Sequence, residues 1–394
     1  MFPTALDTDA DLTPFVALRR DLHQHPELAF EEHRTAGVVA RSLREWGYAV
    51  TEGVGGTGVV GQLRRGTGAG RLGLRADMDA LPIEEASGHP WASRRLGCMH
   101  ACGHDGHTAM LLAAAHRLAR DGGFDGTVNL IFQPAEEGGG GALRMMDDGL
   151  FERFPCDAIF AMHNMPGVPQ GQLVFRAGPM MASSDYVTVR LHGTGGHGGL
   201  PHRASDPIVA AASIVMALQT VVSRNVDPLQ PAVITVGAIE AGRANNVIPA
   251  LARLELSVRA LDPAVRQLLQ DRIRALVTAQ ANSLGVRAEI DWRPGYAVLV
   301  NDPAQTARAR TVAERHFPAS QVQPQGPMLT GSEDFAFMLE RVPGSYLLIG
   351  NGAGDSAGAC MVHHPAYDFN DANIATGARY WVALVRDLLP SPQP

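Results

Sequence analysis

Cysteine is scarce, with Cys98, Cys102, Cys156 and Cys360 the only four in 394 residues. So few thiols in so long a chain make no disulfide framework. Basic charge is also short: 33 Lys and Arg stand against 40 Asp and Glu, for a net charge of -7. Non-specific nucleic-acid binding needs a concentrated basic face, so no nucleic-acid partner is expected. The apolar runs are broken by charge or glycine before about 18 residues, so neither a membrane span nor a membrane partner is expected. The opening residues, MFPTALDTDADLTPF, lack the basic and apolar regions of a secretory signal. The cytoplasm is the expected location.

What is present suits a sizeable globular protein. Hydrophobic residues make up 45% of the chain, enough for more than one core, and domains of roughly 100–200 residues make two the natural number. The first third alternates helix and strand signals. Phe15, Leu18 and Leu22 share one helical face, and Val39, Leu43 and Trp46 share another. Strand-like runs follow at 58–63, 71–76, 127–133 and 158–162, with a buried helix over 108–120. Strands alternating with helices predict an α/β domain with a mostly parallel sheet flanked by helices. From Ser183 to about Pro294 the order becomes strand (186–192), helix (206–222), strand (232–239), strand (253–259), helix (263–284) and strand (286–291). That β-α-β-β-α-β order predicts a smaller α+β, ferredoxin-like domain. Residues 183–294 are therefore expected to be a lid and dimerisation domain inserted into a catalytic domain of residues 1–182 and 295–394. A strand at 345–349 and a last helix at 371–389 complete the latter.

Fifteen histidines are many, and they cluster. Asp77 and Asp79 follow one strand, and Glu136 and Glu137 another. His163 follows a third, while Cys98, His100, Cys102, His104 and His107 precede a helix. His363 and His364 lie far downstream. Open α/β sheets gather ligands beyond the carboxyl ends of their strands, and thiolate, imidazole and carboxylate are the donors of borderline transition metals. Singly each has a plainer explanation. A lone His at a strand end is usually hydrogen-bonded or exposed, an acidic pair is usually a solvated loop, and a lone Cys is usually a small buried hydrophobe. Their joint occurrence points to metal. Cys98 and Cys102 do not make the CxxC of a thioredoxin-like redox site, and the Pro-Cys-x-x-Cys of a zinc deaminase is absent.

The ordered stretches LHQHPELAFEE, RADMDALPI, MHACGHDGHTAML, FQPAEEGGGGA, MHN, GTGGHGGLPH, NNVIP, GSEDFA and HHPAYDFND span nearly the whole chain. In them the chain resembles the aminoacylase and carboxypeptidase-G family of co-catalytic metallopeptidases. The resemblance is to its amidohydrolase branch, which contains hippurate hydrolases and hydrolases of auxin–amino-acid conjugates. It implies two divalent metal ions per subunit (zinc, manganese, cobalt or nickel), with Cys102 bridging them. Glu137 and His363 would complete one site, His104 and His163 the other. Glu136 would be the catalytic base. The family's usual His-x-Asp motif stands here as Asp77-Met-Asp79, so Asp77 replaces a ligand histidine and Asp79 would orient an imidazole without binding metal.

The resemblance further implies that His197, set among glycines, polarises the scissile carbonyl, often in the cleft of a neighbouring subunit. Asn246 and Arg259 are candidates for the substrate carboxylate. The expected activity is amide hydrolysis of small N-acyl amino acids. A metal pair activates water, and Glu136 carries its proton to the leaving nitrogen. A dipeptidase or aminopeptidase using the same metals, or a non-catalytic metal-binding protein, are the alternatives. The exposed edge of the small sheet suggests a homodimer or larger homo-oligomer. A thiolate beside cations also predicts that Cys102 oxidises when metal is lost.

Overall fold

The computed structural model describes residues 12–392; residues 1–11, on which the secretory-signal reading mainly rests, lie outside the described residues. The chain forms two compact units. The first ends at Gly178 and resumes over Asn301–Pro327 and Phe337–Pro394; the second holds Pro179–Val300 and Met328–Ala336.

In the first unit the strands order as Ala49–Val54, Gly58–Arg65, Gly126–Gln133, Arg71–Asp77, Ala158–Pro166, Gly344–Gly352, Leu173–Val174 and Val322–Gln323. The central four, from Gly126–Gln133 to Gly344–Gly352, run parallel. Gly126–Gln133 and Gly344–Gly352 are buried at every position. Continuous burial, without alternation, marks strands covered on both faces. Helices supply the cover: Thr13–Gln24, His33–Glu45, His104–Asp121 and Asn373–Leu388 contribute Phe15, Val39, Leu43, Leu111, Leu112 and Trp381 to one core. Asp77 and Gln133 are register partners at the ends of parallel strands, so the segments that leave them start side by side.

The second unit has a four-stranded antiparallel sheet in the order Ala232–Ala241, Leu251–Ala260, Asp185–His192, Arg287–Pro294. Leu251–Ala260 alternates between buried and more open positions, which is the pattern of a sheet covered on one face. Val187, Leu254 and Leu256 meet Ile214 and Leu218 of the helix Pro207–Asn225 and Leu269 and Ile273 of the helix Pro263–Ser283 in a second core. Both helices begin at an Asp-Pro pair. Asp206 accepts the Ile208 N–H at 2.8 Å, and Asp262 accepts those of Ala264 and Val265 at 2.7 and 3.1 Å. A capping carboxylate followed by a proline that needs no donor starts a helix well.

Pro207–Asn225 is, by length and composition, apolar enough to cross a membrane. Its apolar run is bounded by charge, at Asp206 and Arg224. Its Ala210, Ala211, Ile214, Leu218 and Val221 are buried in the second core.

Candidate metal centre and active site

The helix His104–Asp121 starts at Gly103, whose φ is 91°. A Cβ there would sit 2.3 Å from the Tyr367 hydroxyl and 2.4 Å from Asn164 Nδ2. Only glycine allows so tight an entry, and it sets Cys102 and His104 on either side of the helix start. Ligand atoms of Cys102, His104 and His163 lie within 4.8 Å of one another, and so do those of Cys102, Glu137 and His363. Cys102 belongs to both trios. His104, Glu136 and Glu137 meet the same limit.

Hydrogen bonds orient these donors. His163 Nδ1 donates to the Asn164 carbonyl at 2.6 Å, which leaves Nε2 as a lone pair 3.4 Å from Cys102 Sγ. Burial, then His107, holds the His163 pKa well below its ordinary value, so the ring is neutral. His104 Nδ1 lies 3.1 Å from Asp79 Oδ1, while its Nε2 is buried with no hydrogen-bond partner. Burial alone would lower the His104 pKa, but Asp77 and Asp79 outweigh it and raise it to about 10. His363 Nε2 lies 3.0 Å from Glu137 Oε1, a buried oxygen that makes no hydrogen bond. The His363 backbone N–H is tied to the Ala101 carbonyl at 2.7 Å. His104 Nε2 and Glu137 Oε1 are thus buried polar atoms without a hydrogen-bond partner, which a bound cation would satisfy. Sulfur, nitrogen and oxygen together suit a borderline divalent metal, so the residues fit the implied ions.

Glu136 is buried and precedes Glu137, whose N–H Asp79 Oδ2 accepts at 2.9 Å. The imidazole that Asp79 meets, left open by the sequence, is that of His104. His364 is otherwise engaged: its Nδ1 accepts the Ala366 N–H at 3.1 Å and lies 3.3 Å from Cys360 Sγ. The expected oxidation of Cys102 on metal loss would act on its thiolate. Burial, then Glu137, Glu136 and Asp77, raises its thiol pKa well above the usual value. Without cations the inert thiol is the favoured form.

His197 and Asn246 come together in the second unit. His197 pairs with Val247, and the Gly198 N–H donates to the Asn246 carbonyl at 2.8 Å. His197 is exposed, and its Nδ1 accepts the Gly199 N–H at 3.0 Å. A neutral ring so bound must carry its proton on Nε2, which is then a donor. Arg259 is less free than expected: its Nη1 donates to the Thr330 carbonyl at 3.1 Å.

A model of peptidase family M20/M25/M40 matches residues 73–387. The chain belongs to that family. Among M20 relatives, a hippurate hydrolase from Campylobacter jejuni is 42% identical over 384 residues, 98% of each chain. An N-acetyl-L-cysteine deacetylase from Bacillus subtilis is 39% identical over 377 residues, 95% of this chain and 88% of that one. An IAA-amino acid hydrolase from Arabidopsis thaliana is 37% identical over 369 residues, 92% of this chain and 83% of that one. A solved dinuclear metal binding peptidase of the M20 family from Bacillus subtilis superposes with a TM-score of 0.84 at 32% identity, over 97% of this chain and 99% of that one.

Around this centre of the M20 chain lie further polar residues to which no role was assigned from sequence, among them Arg75, His107 and Asn164. His107 Nδ1 lies 2.6 Å from Asp77 Oδ1, and Asp77 Oδ2 accepts from Arg75 at 2.6 Å. Burial opposes the Asp77 charge, but His104, Arg75 and His107 hold its pKa well below the usual range. Asn164 donates its backbone N–H to His107 Nε2 at 3.0 Å and its amide to the Cys102 carbonyl at 2.6 Å. Its Oδ1 accepts the Tyr367 hydroxyl at 2.8 Å. One side chain thus joins the Cys102 turn to the strand of His163. Its place in MHN was the available signal.

Proposed function

We propose that the protein hydrolyses the amide bond of small N-acyl amino acids, releasing a carboxylic acid and the amino acid. The observation that carries this reading is the sharing of Cys102 between two ligand trios with Glu136 beside them. The relatives' names, hippurate hydrolase, N-acetyl-L-cysteine deacetylase and IAA-amino acid hydrolase, all describe removal of an acyl group from an amino acid. Cys102, Glu137 and His363 would hold one divalent cation and Cys102, His104 and His163 the other. Zinc, manganese, cobalt and nickel all suit that donor set. When bound, such a pair acidifies and holds the attacking water.

The chain's own groups do the rest. Glu136 takes the water's proton and returns it to the amide nitrogen as the C–N bond breaks, a transfer worth typically 10²–10⁴-fold. Asp79 holds His104 by Nδ1, so that Nε2 would be left to bind the cation. The His197 Nε2–H donates to the acyl oxygen as it gains charge. Asn246 and Arg259 receive the substrate carboxylate. Residues 183–294 serve as lid and dimerisation module. The strand Ala232–Ala241 is an edge of its sheet, with Ile239 57% exposed, and it fits pairing with a second copy. Free thiols at all four cysteines agree with a cytoplasmic home.

The test is a panel of N-acyl amino acids assayed for release of free amine, with Glu136→Gln as control. Turnover on the panel that disappears in Glu136→Gln supports the reading. A preference for free dipeptides over their N-acylated counterparts would make the protein a dipeptidase. A metal-loaded sample inert on every compound would leave a metal-binding protein.

A further inference from the structure

Residues 22–32, LHQHPELAFEE, take no part in the chemistry proposed above. Their polar groups nevertheless reach the neighbours of three candidate site residues. His23 Nδ1 lies 2.8 Å from Asp105, beside His104. The Glu27 carbonyl accepts the Ala80 N–H at 2.8 Å, beside Asp79. Glu32, wholly buried, accepts the Ala135 N–H at 2.9 Å, beside Glu136.

The third contact falls on a left-handed backbone. Among the described residues only Phe30, Ala135 and His363 have a positive φ without being glycine, at 63°, 52° and 64°. Two of these three are held by one oxygen: Glu32 Oε1 accepts the Phe30 N–H at 3.0 Å and the Ala135 N–H at 2.9 Å. The other oxygen takes the Thr57 hydroxyl. A residue with a Cβ stays left-handed only where its surroundings hold it there. Ala135 is held at both ends, since its carbonyl accepts the Gly141 N–H at 3.0 Å. The loop has no slack, because a Cβ on Gly141 would sit 1.7 Å from the Pro134 carbonyl oxygen. The φ of Ala135 sets the direction in which the chain enters Glu136.

We propose that Glu32 is a positioning residue for Glu136: by clamping Ala135 in the left-handed region it aims the Glu136 carboxylate at the reacting water. This rests on the reading of Glu136 as general base. Glu32 touches no substrate and moves no proton. A buried carboxylate that merely staples two loops would stabilise the fold without governing kcat, and the two roles separate by experiment.

The experiment compares Glu32→Ala, Glu32→Asp, Glu32→Gln, Ala135→Gly and the double variant E32A/A135G, each fully metal-loaded. Metal content and thermal midpoint are measured alongside kcat and KM. The expected result is a kcat loss of about tenfold or more in E32A with KM and metal content little changed, since small misplacement of a catalytic group is costly. Glutamine, whose amide oxygen can face both N–H groups while its NH2 meets Thr57, keeps most of the rate. The double variant recovers much of it, because glycine adopts this φ without penalty. Should E32A not fold, E32D, too short to span both N–H groups, takes its place with the same expectation. Wild-type kcat in E32A or E32D overturns the inference, and so does an equal loss with and without A135G. Glu136→Gln separates the premises. If it keeps full activity the base assignment fails; if it is inactive while E32A is normal, only the role of Glu32 fails.

Discussion

The Asp79 carboxylate lies 3.1 Å from His104 Nδ1, and its second oxygen accepts the Glu137 N–H at 2.9 Å. One side chain therefore holds a ligand from each of the two proposed metal sites. Asp79→Asn offers a single acceptor oxygen to two donors, so one contact becomes donor against donor. Metal affinity should fall by about 10–100-fold, read by competition with a chelator. Unchanged affinity would contradict the orienting role of Asp79.

Asn164 ties the Cys102 turn to the His163 strand and to Tyr367. Asn164→Ala leaves the Cys102 carbonyl and the Tyr367 hydroxyl buried and unpaired. At about 1–3 kcal/mol for each orphaned group, the metal-free protein should lose roughly 2–6 kcal/mol. Denaturant titration measures this, and a loss below about 1 kcal/mol would mean the two groups find other partners.

His23 gives the first unit a pH-dependent contact. Burial alone would lower its pKa, but Asp105 and Glu85 outweigh that effect and the opposing Arg19, raising it from 6.5 to about 9. His100, whose ring centroid lies 6.2 Å away, also faces it. A pKa raised by folding gives stability that is complete below the unfolded value and lost as pH climbs through the folded one. The protein should therefore lose stability between pH 6.5 and about 9, by on the order of 3 kcal/mol. His23→Gln should flatten the profile in that window. An unchanged slope in the variant would assign the titration to another group.

His197 is exposed on a short strand, with Nδ1 accepting the Gly199 N–H and Nε2 left to donate. If it serves the partner's cleft, mixing inactive His197→Ala with inactive Glu136→Gln should restore activity, because mixed dimers contain one intact site. No recovery after confirmed subunit exchange would place His197 in the cleft of its own chain.

The parallel sheet was legible because its strands are short apolar runs bounded by glycine and acidic residues. The candidate site residues were legible because Asp79, Glu136 and Glu137 lie just beyond the ends of strands and His104 begins a helix. Periodicity failed where chemistry replaced it. His104–Asp121 starts four residues before the apolar pattern at 108 because its first turn carries His104, Asp105 and His107 in place of leucines. His163 reads as following a strand, but the strand continues to Pro166. Glu32 was invisible for another reason. Its partner Ala135 is 103 residues away, and neither sequence neighbourhood records the contact. The placement of Met328–Ala336 in the second unit likewise depends on tertiary packing, without any local propensity.

The most direct measurement is an anomalous-scattering map from crystals of the active protein carrying its native metal. It should show two peaks, both within bonding distance of Cys102 Sγ, one completed by Glu137 and His363 and the other by His104 and His163, with Glu136 bound to neither. Peaks elsewhere, or undiminished amide hydrolysis by protein free of transition metal, would contradict the account.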